Sequence, residues 1–124
     1  MKRINFFQCL VILSLFVFAC AGKETPTMAA KKLTGYLQNK DYEKYLDCVD
    51  SYEKFGTKEQ IVAILKQSME MKKGLKKVDI LSESLKNDGK SAVVKVKYTY
   101  GDGSSEETSL NFKEIKDQWR AILE

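Results

Sequence analysis

Histidine is absent from this sequence of 124 residues, and proline occurs only once. Histidine is the usual general base at neutral pH and the commonest metal ligand in proteins. Because no other catalytic or metal-binding set is evident, we predict a protein that is not an enzyme and that has neither a metal nor a cofactor. A chain of this length is sufficient for one globular domain and too short for two.

The net charge is also small. The chain has 21 basic and 17 acidic residues, a formal charge of +4. Lys2 and Arg3 lie in a segment that we expect to be removed, which leaves a charge of +2 on the rest. Nucleic-acid-binding domains usually carry a strongly basic surface or stripe. We therefore predict no nucleic-acid partner.

The first 19 residues have the pattern of a secretory signal peptide. Residues 1–5 carry two positive charges, and residues 6–19 are almost wholly apolar. A membrane-spanning helix needs about 20 apolar residues, so this shorter run indicates a cleaved signal and not a permanent span. The sequence predicts a signal peptide over residues 1–19, followed by a short tether over residues 20–25.

The end of this segment, Val17-Phe18-Ala19-Cys20, resembles the lipobox of bacterial lipoproteins. The resemblance implies that the Cys20 thiol carries a diacylglyceryl group, that cleavage occurs just before it, and that the new amino terminus is acylated, for example with palmitate. We therefore expect a cell-envelope protein anchored to a bacterial membrane, with the outer membrane favoured and its exposed face undecided. The alternative is an ordinary secretory signal in which Cys20 is incidental.

Of the three cysteines, Cys9 leaves with the signal and Cys20 is consumed by lipid, so that only Cys48 remains. A lone cysteine cannot form an internal disulfide. Two interpretations stay open for Cys48, a small buried hydrophobic residue or a reactive thiol.

Three amphipathic helices are predicted after the tether. The first begins with Thr25 as its cap and Pro26 as its first residue, and it runs to about Asn39. Asp41 caps a second helix, and Thr57 with Gln60 forms a capping box that opens the third. Gly74 ends the third helix. The expected core positions of the second helix are Tyr42, Tyr45, Leu46 and Val49. Those of the third helix are Ile61, Ile64, Leu65, Ser68 and Met69.

From residue 78 onward the hydrophobic period changes from 3.6 to 2. This pattern predicts strands over residues 78–85, 92–100, 105–115 and 119–123, separated by hairpin turns. For the hairpin around Gly103 we expect a three-residue loop with Gly103 in the left-handed conformation. That loop would place Val96 opposite Leu110 and Val94 opposite Phe112, and so keep the apolar side chains on one face.

These elements define the predicted fold class. It is an α+β domain over residues 26–124, in which three N-terminal helices pack on the apolar face of a curved, four-stranded antiparallel meander. Its outer face carries polar side chains that argue against dimerisation through it, so we expect a monomer. They are Lys95, Lys97, Glu107 and Lys113.

The order of elements resembles the nuclear transport factor 2-like superfamily, and more narrowly its bacterial lipoproteins of unknown function, which are related to cystatin-like and lumazine-binding-like domains. The resemblance implies a cone with a pocket at its open end. Enzymes of the superfamily, such as isomerases and dehydratases, use carboxylates, tyrosines and often histidine inside the cone. The residues expected to face inward here are mostly apolar or phenolic and histidine is absent, so this sequence matches them poorly. The segments that carry the resemblance are Asp41-Tyr42-Glu43-Lys44-Tyr45, Val78-Asp79-Ile80-Leu81-Ser82-Glu83 and Gln118-Trp119-Arg120.

Aromatic side chains are the candidate pocket lining, because tyrosine and tryptophan provide contact area together with a polar atom. The alternative is that they fill the core of a small domain. The sequence favours a non-catalytic binding module for a small apolar ligand or an envelope protein. A structural lipoprotein with a filled core is the alternative, and an isomerase or hydratase is a second. The candidate residues are Tyr36, Tyr45, Tyr98, Tyr100, Phe112 and Trp119.

Overall fold

The computed structural model describes residues 24–123. The predicted signal peptide and Cys20 lie outside these residues. The described chain contains three α-helices, a short 3₁₀ helix and five strands. In chain order they are α1 (Pro26–Gln38), α2 (Tyr42–Asp47), β1 (Val49–Asp50), the 3₁₀ helix (Tyr52–Phe55), α3 (Lys58–Met71), β2 (Leu75–Leu85), β3 (Ser91–Tyr100), β4 (Ser105–Ile115) and β5 (Gln118–Ile122).

Helix α1 begins as the sequence predicts. The Thr25 side chain accepts a hydrogen bond from the Met28 amide at 3.1 Å, and Pro26 occupies the first turn. Since proline lacks the amide hydrogen that would be unsatisfied there, it suits this position. One face of the helix is buried against the sheet and provides much of the core. Its apolar members include Ala29, Ala30, Leu33 and Leu37.

Helix α2 is shorter than predicted, and Val49 is not part of it. Val49 lies in β1 and pairs with Ala121 of β5 in a parallel arrangement, while the Ala121 amide donates to the Cys48 carbonyl at 2.9 Å. The prediction of a helical Val49 is therefore wrong. Helix α2 ends at Asp47, and the chain then supplies the hydrogen bonds that the edge of β5 would otherwise lack.

The sheet has the strand order β1-β5-β4-β3-β2. Strands β2 to β5 form the antiparallel meander that the sequence predicts, and the α+β class with three helices is confirmed. The prediction of four strands is incomplete, because β1 adds a fifth strand and makes the sheet mixed. Strand β2 also begins three residues earlier than predicted, at Leu75.

The β3–β4 hairpin differs from the predicted register by two residues. Val94 pairs with Leu110 and Ala92 with Phe112, and the Tyr100 amide donates to the Ser104 carbonyl at 2.9 Å. The loop does have three residues and Gly103 does have a positive φ of 90°, but the loop spans residues 101–103. A shift of two residues preserves the faces of both strands, so the apolar alternation could not distinguish the two registers.

Packing against the linker after α3 explains the register. The Gly101 amide donates to the Gly74 carbonyl at 2.8 Å, and the Asp102 amide donates to the Lys72 carbonyl at 3.1 Å. A Cβ atom on residue 101 would lie 2.1 Å from the Lys73 carbonyl oxygen. Only glycine permits so close an approach, and the loop therefore begins at this residue.

Helix α3 is the least buried of the three helices. Thr57 and Gln60 form the predicted capping box, but Ile61 is the single buried residue of the helix. Ile64 is 63% exposed and Ser68 is exposed, so the prediction of both as core residues is wrong. Helix α3 stands away from the sheet along most of its length, because α1 already covers much of the apolar face.

Within residues 24–123, no helix is both long enough and apolar enough to cross a membrane.

Candidate functional site

A pocket of about 320 Å³ lies between α3 and the helix-covered face of the sheet, beside the β3–β4 turn. Its volume is at the lower end of the range for small-molecule sites. The incomplete covering of the sheet by α3 leaves this space. Its lining is apolar and aromatic toward the interior and polar at the mouth, and comprises Leu37, Tyr45, Leu65, Ser68, Met69, Lys72, Tyr98, Tyr100, Glu106, Thr108 and Leu110.

Three side chains form a polar cluster at the mouth of this pocket. The Tyr100 hydroxyl donates a short hydrogen bond to Glu106 Oε1. Lys72 Nζ lies 3.6 Å from the same oxygen and 4.4 Å from the centre of the Tyr100 ring. The ammonium group of Lys72 therefore interacts with both a carboxylate and an aromatic face. We call Lys72, Tyr100 and Glu106 the mouth cluster.

The β3–β4 hairpin brings Tyr100 and Glu106 of this cluster together. It pairs Tyr98 with Glu106, and strand alternation then places Glu106 on the same face as Tyr98 and Tyr100. The rings of the two tyrosines meet edge to face with their centres 6.2 Å apart. Tyr98 extends the aromatic wall from the mouth cluster toward the core.

Hydrogen bonding and burial shift the pKa values of Glu106, Tyr100 and Tyr98. The hydrogen bond from Tyr100, helped by Lys72, lowers the pKa of Glu106 below its ordinary value. Burial, and then the bond to Glu106, raises the pKa of Tyr100, and burial raises the pKa of Tyr98. The site thus presents an ionised carboxylate beside protonated phenols, which suits hydrogen bonding and orientation of a ligand.

The six aromatic residues that the sequence predicts as pocket lining lie in three different places in the structure. Tyr45, Tyr98 and Tyr100 line the pocket beside α3. Tyr36 and Trp119 line a different cleft of about 220 Å³. Phe112 is 2% exposed and lies in the core cluster.

The second cleft also contains Cys48. Burial raises the pKa of its thiol, although Lys32 and Arg120 oppose that effect. Arg120 Nη2 already donates to the Asp47 carbonyl at 2.9 Å and to the Val49 carbonyl at 3.2 Å. The thiol is therefore protonated at neutral pH, and the neighbouring arginine serves to hold β1 against β5.

Sequence reasoning missed Glu106 as a site residue. Alternation along β4 puts Glu106 in phase with Thr108, Leu110 and Phe112 and puts Glu107 on the outer face, and this pattern is the signal that could have identified Glu106. The hairpin register decides only which residue of β3 lies opposite Glu106, and in the structure that residue is Tyr98. Within residues 24–123, no group of three Cys, Asp or Glu residues is arranged to hold a metal ion.

A search against models of known protein families gives no match. A search of curated proteins gives no match either. Among solved structures, the chain is similar to the crystal structure of a nuclear transport factor 2-like protein from Campylobacter jejuni that is provisionally described as a transpeptidase. The two share 18% sequence identity, the match covers 82% of this chain and 100% of that chain, and the TM-score is 0.63. This likeness shows that the domain has a nuclear transport factor 2-like fold.

Proposed function

We propose that this protein is a lipid-anchored protein of the bacterial cell envelope that binds a small, largely apolar ligand without catalysis. The signal-like segment and the lipobox-like residues before Cys20 support the anchor. The pocket beside α3 supports the binding function. Its apolar and aromatic interior with a few polar groups at the mouth is the composition typical of small-ligand sites.

The observation that carries the binding proposal is the position of the mouth cluster. Leu65, Met69 and Leu110 offer apolar contact within the pocket, whereas Glu106 and Lys72 lie at its rim with side chains 50% and 44% exposed. A ligand with a flat or aliphatic body and one hydrogen-bonding group would match this arrangement. Such a ligand would place its body between α3 and β4 and its polar group at Glu106 or Lys72.

A transpeptidase activity, as in the provisional description of the Campylobacter jejuni protein, is not part of this proposal. Transpeptidation by a covalent route needs an activated thiol or hydroxyl nucleophile. Cys48, the one cysteine in residues 24–123, lies in the other cleft, and burial raises the pKa of its thiol. These features support binding in preference to acyl transfer.

Native mass spectrometry of the full chain tests the proposal. The protein would be produced with its own signal in the source bacterium and extracted from the envelope in a detergent that is removed in the gas phase. The spectrum should show an adduct of defined mass that is lost on denaturation. It should also show the mass increase expected for a diacylglyceryl group on Cys20, which tests the anchor separately.

A pair of variants on α3 makes this test specific to the pocket. Ser68 lines the pocket, so Ser68→Trp should fill it and remove the adduct. Gln67 is the exposed neighbouring residue, and Gln67→Trp adds the same bulk outside the pocket. An adduct in the Gln67→Trp protein and none in the Ser68→Trp protein would support the proposal. Absence of the adduct from the parent protein, or its retention in both variants, would contradict binding in this pocket.

A second candidate function is an accessory lipoprotein that binds another envelope protein through α3. Three large apolar side chains on or beside this helix are strongly exposed: Phe55 at 58%, Ile64 at 63% and Met71 at 77%. Crosslinking from these positions in intact cells would distinguish the two functions, because the ligand-binding function requires no partner at this surface.

A further inference from the structure

Hydrogen bonds join the first described residues of the chain to one end of the sheet. Glu24 Oε1 accepts a hydrogen bond from the Trp119 amide at 3.1 Å, and the second carboxylate oxygen of Glu24 lies 3.9 Å from Lys32 Nζ. Three residues later, the amide and the hydroxyl of Thr27 both donate to Glu83 Oε1 at 2.8 Å. The start of the domain is thereby joined to β5 and to β2, and its position is fixed.

These contacts lie at the end of the sheet that is opposite the pocket. Helix α1 begins beside Glu83, near the end of β2, and finishes where Gln38 Nε2 donates to the Lys76 carbonyl at 3.1 Å, near the start of β2. We call the end beside Glu83 the tether end, which also contains the turns at 86–90 and 116–117. The mouth cluster lies at the other end, beside the turn at 101–103.

Exposed apolar side chains flank the contact between Thr27 and Glu83. Met28 follows Thr27 and is 48% exposed, and Leu85, two residues after Glu83 on β2, is 57% exposed. Leu81, two residues before Glu83, is 45% exposed. Half of the strongly exposed large apolar residues of the described chain are therefore close to the point where the tether joins the domain.

The turns at the tether end contain three lysines and two aspartates, a small excess of positive charge. Lys86, Lys90 and Lys116 are exposed, and within residues 24–123 none of them lies within 4.0 Å of a carboxylate. The acidic residues of the same turns are Asp88 and Asp117, and the Asp88 carboxylate is engaged with the amides of Lys90 and Ser91. Apolar side chains together with lysines are the combination that favours the interfacial region of an anionic membrane.

We propose that the tether end rests on the phospholipid headgroups of the membrane that holds the anchor, so that the binding pocket opens away from the membrane. This inference rests on the proposed lipidation of Cys20. Only four residue steps separate Cys20 from Glu24, and they span at most about 14 Å even when fully extended. Because Glu24 is held against β5, so short a tether keeps the tether end near the bilayer surface.

Site-specific fluorescence on the full lipoprotein tests the orientation. With Cys20 lipidated and Cys48→Ser in place, Ser84→Cys or Ser105→Cys introduces the single reactive thiol. Both serines are exposed strand residues, Ser84 at the tether end and Ser105 at the pocket end. Each protein is labelled with a thiol-reactive dye and reconstituted into vesicles of phosphatidylethanolamine and phosphatidylglycerol that contain a headgroup nitroxide lipid.

The label at residue 84 should be quenched several-fold more strongly than the label at residue 105. The double substitution Met28→Ser and Leu85→Ser should reduce quenching at residue 84 while the protein still floats with the vesicles. Circular dichroism checks that each labelled protein is folded.

The remaining outcomes separate failure of this inference from failure of the proposed anchor. Equal quenching at residues 84 and 105, or none at either, in a protein that floats with the vesicles would overturn the orientation and leave the anchor intact. A protein that lacks the lipid mass and does not float would overturn the anchor, and the orientation with it.

Discussion

The phenol of Tyr100 donates a hydrogen bond to the carboxylate of Glu106, six residues further along the same hairpin. The bond joins the last residue of β3 to the second residue of β4 across the turn. It holds a charged acceptor at the mouth of the pocket beside α3. The local chemistry of this pair can be tested without knowledge of the ligand.

Replacement of Tyr100 by phenylalanine should raise the pKa of Glu106 toward its ordinary value of 4.5. The hydrogen bond from Tyr100 is the main cause of the lowered pKa, and Lys72 would remain to compensate in part. Because Glu106 is half exposed, we expect a loss of only about 1 kcal/mol in the free energy of unfolding. Carboxyl-detected NMR titration and urea unfolding measure the two effects. Tyr36→Phe, in the other cleft, is the control, and an unchanged Glu106 pKa in Tyr100→Phe would contradict the assigned cause.

Glu106 should also contribute to the dependence of the free energy of unfolding on pH in the acid range. Its pKa is lower in the folded state than in the unfolded state, so its contribution is complete above about pH 4.5 and is lost as the pH falls through the folded-state pKa. Urea unfolding at a series of pH values should show a shallower acid loss for Glu106→Gln than for the parent. The double variant Tyr100→Phe with Glu106→Gln should lose less than the sum of the single losses. Strict additivity would show that the two groups do not interact.

Alanine substitutions at a buried and at an exposed apolar position should lower the free energy of unfolding by very different amounts. Phe112 is 2% exposed and Ile64 is 63% exposed. Phe112→Ala should lower the free energy of unfolding by about 3–5 kcal/mol because it leaves a cavity, whereas Ile64→Ala should change it by about 0.5 kcal/mol or less. Chemical denaturation measures both, and Phe112→Leu serves as a milder variant if the alanine variant does not fold. Similar losses at the two positions would contradict the observed position of α3.

Alanine substitutions at two glycines should change the stability of the protein in opposite directions. Gly101→Ala would place a Cβ atom 2.1 Å from the Lys73 carbonyl oxygen, so the hairpin turn must move away from the α3–β2 linker at a cost of about 1–3 kcal/mol. A Cβ atom on Gly35, inside α1, meets nothing within 4 Å. Gly35→Ala should therefore stabilise the protein by about 0.5–1 kcal/mol. Thermal unfolding compares the two, and a neutral Gly101→Ala would show that the turn is not docked on the linker.

The elements that the sequence predicted well have strong local signals. Thr25 with Pro26 marks the start of α1, and Thr57 with Gln60 marks the start of α3; both caps occur as predicted. The alternation along β3 correctly identifies its buried face. In each case the residues that form the signal are neighbours along the chain.

The features that escaped prediction depend on contacts between distant residues. Val49 fits a helical period and a strand equally well, and the free edge of β5 decides the outcome. The hairpin register is decided by the fit of Gly101 against Lys73. Alternation along β4 places Glu106 on the apolar face in either register, but its position opposite Tyr98 and beside Lys72 depends on how the hairpin packs against α3 and the linker after it, which the hydrophobic pattern does not encode.

The weak burial of α3 has a thermodynamic consequence for the pocket that it covers. The capping box at Thr57 and Gln60 favours the helical conformation, but because Ile61 is its single buried residue, few contacts hold α3 against the sheet. Segments with few buried apolar contacts open at a lower free energy than the core, and hydrogen exchange detects such opening. The apparent affinity of a ligand is reduced in proportion to the fraction of molecules whose site is competent to bind. Substitutions on α3 far from the ligand would thus alter affinity by changing how often the helix is docked, and a bound ligand would in turn slow amide exchange along the whole helix.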